Sequence, residues 1–202
     1  MHEIFQAIMS NDYDKLNALL LTNEFDPTAI YNYHTPLEAI CNQEDIYEYP
    51  DLVTNIIRFI ASGKAYPEHC GYDNNTALMY ACHNHMTSIA YAIIATGESN
   101  PECYNFECET ALMIAICNHL SDVAIAIIAT GKSAPKHKNS NGDTALILAC
   151  QYNLSNVAIA LIATDKSIPS HMNHSGETAY TFAHKNNMID VIALLCQKLH
   201  TY

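Results

Sequence analysis

The sequence predicts an all-α solenoid, a stack of helix-turn-helix units joined by short β-turn fingers. Three observations carry this. Thr76, Thr110, Thr144 and Thr178 stand 34 residues apart, and each opens a similar phrase, nearly the same at residues 110–130 and 144–164. A fixed period of this size marks a stacked array. Each phrase holds two short apolar runs separated by a polar turn. Between phrases, residues 135–143 and 169–177 begin with proline and contain Asn141-Gly142 and Ser175-Gly176, both hairpin-type turn signals.

Taken in order, residues 2–34 form an N-terminal cap. Ile4, Phe5, Ala7 and Ile8, then Leu16, Leu19 and Leu20, mark two short helices. His2, Glu3, Gln6, Asp14, Lys15 and Asn17 supply a wet outer face. Pro27 ends the second helix, because its ring clashes with a continuing turn. The second unit, 35–75, starts at Thr35-Pro36-Leu37 and is seven residues longer than its successors. The excess lies at 43–51, with two tyrosines and four acids. A tolerated loop is the expectation there, since closing a longer loop adds little entropy cost.

Units 76–109, 110–143 and 144–177 are regular, and 178–202 is the C-terminal cap of a single 1–202 domain. Ser88, Asp122 and Asn156 are expected to cap the second helices with their side-chain oxygens. Gly97 and Gly131 are expected to end them in a left-handed conformation, with Asp165 in that place in the next copy. His85, His119, Asn153 and Asn187 hold the turn between helices, and Cys108 takes a place filled by glycine elsewhere.

Composition narrows the function. Lys+Arg total 9 against Asp+Glu 21, a net charge of −12. Phosphate recognition needs clustered cations, so nucleic acid is not an expected partner. No run of eighteen apolar residues is present, so no membrane span is expected. The first ten residues lack a basic start and an apolar core, so no secretory leader is expected. Cys41, Cys82, Cys117 and Cys150 recur at similar helical places and read as small buried apolar residues. A reducing, intracellular, cytoplasmic setting follows as the expectation.

The pattern Thr-Ala-Leu-x-x-Ala-Cys, a second helix ending in Thr-Gly, and an Asn-x-x-Gly turn before the next Thr resembles the ankyrin repeat over essentially the whole chain. Thr35-Pro36-Leu37 matches best. Ala stands for the family's Pro at 77, 111, 145 and 179. Met79, Met113, Ile147 and Thr181 stand for its His, which removes the usual Thr–His hydrogen bonds. The phrase Ala-Ile-Ile-Ala-Thr-Gly-Lys, with Asn-Gly-Asp-Thr-Ala-Leu, is also similar to ankyrin arrays of large amoeba-infecting DNA viruses, mimivirus-like.

The resemblance implies a non-catalytic protein that binds another protein, such as a host factor, through finger tips and the concave face of the first helices. Carried over by position, the candidates are Tyr31, Asn32, His34, Asn42 and Gln43; Tyr72, Asp73, Asn75, His83 and Asn84; Phe106, Glu107, Glu109 and Asn118; Ser140, Asn141, Asp143, Gln151 and Tyr152; and His174, Ser175, Glu177, Lys185 and Asn186. Tyr31, Tyr72 and Phe106 occupy one equivalent place, and aromatics anchor interfaces or pack under fingers with comparable frequency. No nucleophile elbow, P-loop, zinc-protease or dinucleotide motif is present, so no enzyme and no cofactor are expected.

Two alternatives remain. One is an adaptor recruiting targets to machinery such as a ubiquitin ligase, disfavoured because the chain ends at its cap helix. The other is a metal- or pH-responsive ladder of His69, Cys103, His137 and His171, with Cys70 and Cys108 nearby. His and Cys are good zinc ligands, but repeats about 10 Å apart make closure around bonds near 2 Å difficult. No metal site is therefore expected.

Overall fold

The computed structural model describes residues 2–200. Among these residues there are twelve α-helices, one 3-10 turn and no strand; the only extended pairing is in isolated bridges. The chain forms two compact units, one up to residue 103 and one from residue 104.

The first unit holds α1 (Glu3–Met9), α2 (Tyr13–Thr22), α3 (Pro36–Cys41), α4 (Pro50–Ala61), α5 (Ala77–His83) and α6 (Thr87–Ala95). Here α1, α3 and α5 pack side by side as one layer, and α2, α4 and α6 as a second. The second unit repeats the plan with α7 (Ala111–Cys117), α8 (Ser121–Ala129), α9 (Ala145–Gln151), α10 (Ser155–Ala163), α11 (Ala179–Lys185) and α12 (Ile189–His200). Its layers are α7, α9, α11 and α8, α10, α12.

The first helices are too short to be stable alone, so neighbours must hold them. In α9 every residue from Ala145 to Cys150 is buried, as expected for a helix apolar on all sides and sandwiched between others. The second helices bury one stripe, in α10 Val157, Ala158, Leu161 and Ile162.

The recurring threonines start the first helices. Thr35, Thr76, Thr110, Thr144 and Thr178 sit in extended backbone, and each hydroxyl accepts the amide N–H three residues on. At the second and last copies the partner position is polar and returns a hydrogen bond, giving capping boxes with Glu38 and Thr181. In the copies between, Met79, Met113 and Ile147 fill that place with buried apolar volume.

The second helices depart from expectation. They begin one residue before Ser88, Asp122 and Asn156, and the capping places belong to Met86, Leu120 and Leu154, with no side-chain cap. The reason lies in the preceding turn. His85, His119 and Asn153 adopt φ of 55°, 57° and 58°, and the next amide reaches back to the first helix: Met86 to Ala81, Leu120 to Ala115 and Leu154 to Ala149, each 2.8 Å. This Schellman closure fixes where the second helix starts and leaves the oxygen-bearing residues inside its first turn. Gly97, Gly131 and Asp165 are left-handed at φ 73°, 72° and 54°.

The cysteine reading also needs a correction. Cys41, Cys82 and Cys150 are fully buried, but Cys117, one place further along its helix, is only half-buried. Burial pushes the Cys82 and Cys150 thiols up to about 12, so they stay protonated and inert. The 43–51 insertion is more than a loop. Ile46, in the 3-10 turn Ile46–Glu48, is completely buried, and the Tyr49 ring lies 4.4 Å from that of Tyr13.

Candidate functional site

The fingers are built by the asparagine that heads the Asn-x-x-Gly turn, kept at 105 where Cys108 takes the glycine place. Asn105, Asn139 and Asn173 lie five places before their threonines. The Oδ1 of each accepts two backbone amides: Glu107 and Glu109 (3.1 and 2.8 Å), Asn141 and Asp143 (3.0 and 2.9 Å), Ser175 and Glu177 (3.0 and 2.9 Å). Such an Asx turn replaces ladder bonds that a short finger cannot make. The signal was in the sequence, since these asparagines also recur at 34. Gly71 holds that place in the first such finger, and Asp73 takes over, accepting from the Asn75 amide, the Asn75 side chain and the Tyr80 hydroxyl (3.1, 2.7 and 2.8 Å). Burial works against the Asp73 charge but is outweighed by these hydrogen bonds, so its carboxyl lies below the usual range.

The finger glycine place is left-handed whatever occupies it. Tyr33, Asn74, Cys108, Gly142 and Gly176 have φ of 68°, 61°, 60°, 77° and 75°. Gly142 also faces a neighbour, because an added Cβ would stand 2.8 Å from the His174 ring.

The finger histidines bind backbone. His137 donates from Nε2 to the Cys108 carbonyl (3.1 Å) and His171 from Nε2 to the Gly142 carbonyl (2.8 Å), each reaching one finger back. A carbonyl only accepts, so the ring nitrogen must carry the proton. His69 instead meets the completely buried Glu38 carboxylate (2.8 Å), which also accepts from the Thr35 amide (2.8 Å). Among the described residues no group of three or more His, Cys, Asp or Glu is placed to hold a metal.

The structure sorts the proposed contact residues. Asn32, Asn42, Tyr72, His83, Phe106, Glu107, Ser140, Asn141, Gln151, His174, Ser175 and Lys185 are exposed. Tyr31, His34, Gln43, Asp73, Asn75, Asn84, Glu109, Asn118, Tyr152, Glu177 and Asn186 are half-buried. Asp143 is buried, 5% exposed, and accepts from the Asn173 side chain (2.7 Å), which makes it part of the finger ladder. Asn84 and Asn186 cap the preceding first helix by donating to the Cys41 and Cys150 carbonyls (2.9 and 2.8 Å). Those carbonyls would otherwise be open helix ends. Lys185 pairs with Glu177.

The equivalent aromatics divide. Tyr31 leans on buried Phe5, with ring centroids 5.4 Å apart. Tyr72 and Phe106 are 68% and 70% exposed, each at the tip of its finger. Position alone did not reveal Tyr33, 64% exposed with its ring 5.2 Å from Tyr72, or Tyr104, stacked at 4.6 Å on His137. A groove of 420 Å³ is lined by Lys136, Asp165, Ser167, Ile168, Pro169, Ser170, Lys198 and Leu199, and there Asp165 is paired to Lys198. No helix among the described residues is long and apolar enough to cross a membrane.

Residues 124–201 match a family model described as ankyrin repeats (3 copies). No curated protein matches the sequence. Among solved structures, a chain from the complex of a predatory endopeptidase from Bdellovibrio bacteriovorus with an immunity protein is similar at TM-score 0.65 and 25% identity, covering 96% of this chain and 97% of that one. The ankyrin repeat protein EF0377 is similar at TM-score 0.69 and 19% identity, covering 96% of each chain. The ankyrin repeat domain of Bcl-3, of the IkappaB protein family, is similar at 0.67 and 17%, covering 96% of this chain and 84% of that one.

Proposed function

We propose, from a chain that matches ankyrin repeats at residues 124–201 and has the ankyrin-repeat fold in both of its units, that the protein is a non-catalytic module that binds another protein through finger tips and the adjoining face of its first helices. The observation that carries this is the exposure of Tyr72 and Phe106. Each is a large ring held at a finger tip by an Asx-type turn, with more than two thirds of its surface exposed. Burying such a ring against a partner gives a strong anchor, and the rigid turn lowers the ordering cost. Exposed His83 and Gln151 at first-helix ends supply polar contacts beside the fingers.

A similar chain occurs in a complex of an endopeptidase with an immunity protein, which fits a fold used to hold a second protein. The finer reading, a viral or pathogen protein engaging a host factor, rests on the phrase shared with viral ankyrin arrays. The binding of His137 and His171 to backbone carbonyls disfavours the metal-responsive alternative. No feature of the structure favours the adaptor role over plain binding.

The test is affinity capture with the intact chain, followed by titration of the captured partner against variants. Tyr72→Ala and Phe106→Glu are expected to weaken binding at least tenfold, the loss of one interface anchor. Tyr91→Ala, on α6, is expected to leave it unchanged. Equal binding by all three would remove the finger surface as the site.

A further inference from the structure

We propose that Cys70 and Cys103 form a thiol redox site, in which a small-molecule disulfide such as glutathione disulfide converts the two thiols to an intramolecular disulfide joining successive fingers. Both residues lie in the first unit, their Sγ atoms are 3.4 Å apart, and both are partly exposed. A disulfide needs about 2.05 Å, so the sulfurs must approach by about 1.4 Å, within reach of small side-chain rotations. The pair is not part of the repeating scaffold. The place of Cys70 is taken by Tyr104, Lys138 and Met172 in the other fingers, and that of Cys103 by His69, His137 and His171. Cys41, Cys82 and Cys150, by contrast, are scaffold residues sealed in the core.

The surroundings assign an order to the chemistry. The Asn100 side chain donates an N–H to the Cys103 sulfur (3.0 Å), a contact suited to a thiolate. Burial first, and the adjacent Cys103 thiol second, push Cys70 up to about 12, so Cys70 stays protonated at neutral pH. The Cys103 thiolate attacks one sulfur of glutathione disulfide and expels a glutathione thiolate. Cys70 then loses its proton to water and attacks the Cys103 sulfur of the mixed disulfide, expelling the second glutathione. Two protein thiols become one disulfide, and one glutathione disulfide becomes two glutathione thiols.

The test equilibrates the folded full chain in glutathione buffers of rising oxidation, alkylates the remaining thiols in denaturant, and maps the products after cleavage at glutamates. Cutting after Glu68, Glu98, Glu102 and Glu107 separates residues 69–98 from 103–107. The expected result is loss of two of the eight alkylatable thiols and one linked pair of these peptides, about 2 Da lighter than their sum. Cys82→Ser keeps the link, because Cys82 is the buried cysteine in the longer peptide. Cys70→Ser stops at a glutathione adduct on Cys103, about 305 Da heavier. Cys103→Ser gives no link. Eight free thiols in the most oxidising buffer, or a link through Cys82, would overturn the proposal. So would equal yield from the urea-unfolded chain, since the fold would then contribute nothing.

Discussion

Asn173→Ala tests the finger ladder most directly. The side chain accepts the Ser175 and Glu177 amides and donates to the Asp143 carboxylate. The two amide bonds are partly open to water, so each contributes about 0.5–1 kcal/mol. The third is charge-assisted, on a residue 5% exposed, and contributes about 1.5–3 kcal/mol, because its loss leaves a buried carboxylate short of a donor. The expected loss is about 3 kcal/mol, roughly a hundredfold in the local opening equilibrium. Asn173→Asp keeps the acceptor but sets a second carboxylate beside Asp143, so it should destabilise by at least the charge-assisted share. A double-mutant cycle with Asp143→Ala isolates that share as a coupling of about 1.5–3 kcal/mol. Urea unfolding gives the totals, and native-state hydrogen exchange at Ser175 and Glu177 gives the local loss. A total below about 1 kcal/mol, with both amides still protected, would refute the ladder as a source of finger stability.

Four further outcomes are expected. Thr144→Ala removes the completely buried cap of α9 and leaves the Ile147 amide unpaired; thermal unfolding should show a loss of about 1–2 kcal/mol. Gly142→Ala, at φ 77° and pressed on His174, should lower Tm more than Gly97→Ala, at φ 73° in open space, where only about 1 kcal/mol of backbone strain applies; equal shifts would show the His174 contact to be soft. Cys108→Gly, at φ 60°, should stabilise by about 0.5–1 kcal/mol, raising Tm by about 2–4 °C, while the His137 bond to its carbonyl persists. Asp73 titrates below its unfolded value of about 3.9, so its contribution to stability is complete above that pH and disappears as pH falls through the folded pKa. Tyr80→Phe should move the Asp73 carboxyl titration upward in an NMR experiment and shift acid unfolding to higher pH; an unmoved titration would remove the Tyr80 hydroxyl as its support.

The sequence by itself determined the repeat and its chemistry. Period 34, the threonine caps and the apolar runs are local and copied, so each copy reinforces the same assignment. Left-handed turns at His85, His119, Asn153 and Asn187 were equally legible, since Asn and His are among the side chains that tolerate that backbone. Tertiary structure decided which polar residues face outward. Asp143 and Asn84 have the same letters as contact residues, yet one is buried against Asn173 and the other caps the Cys41 carbonyl of the preceding repeat. Only the partner across the stack distinguishes those roles. The same holds for Tyr31 and Tyr72, equivalent in sequence. Phe5 covers one face of the first, while the second keeps 68% of its surface in water, because burial belongs to the neighbours a residue meets and not to the residue itself.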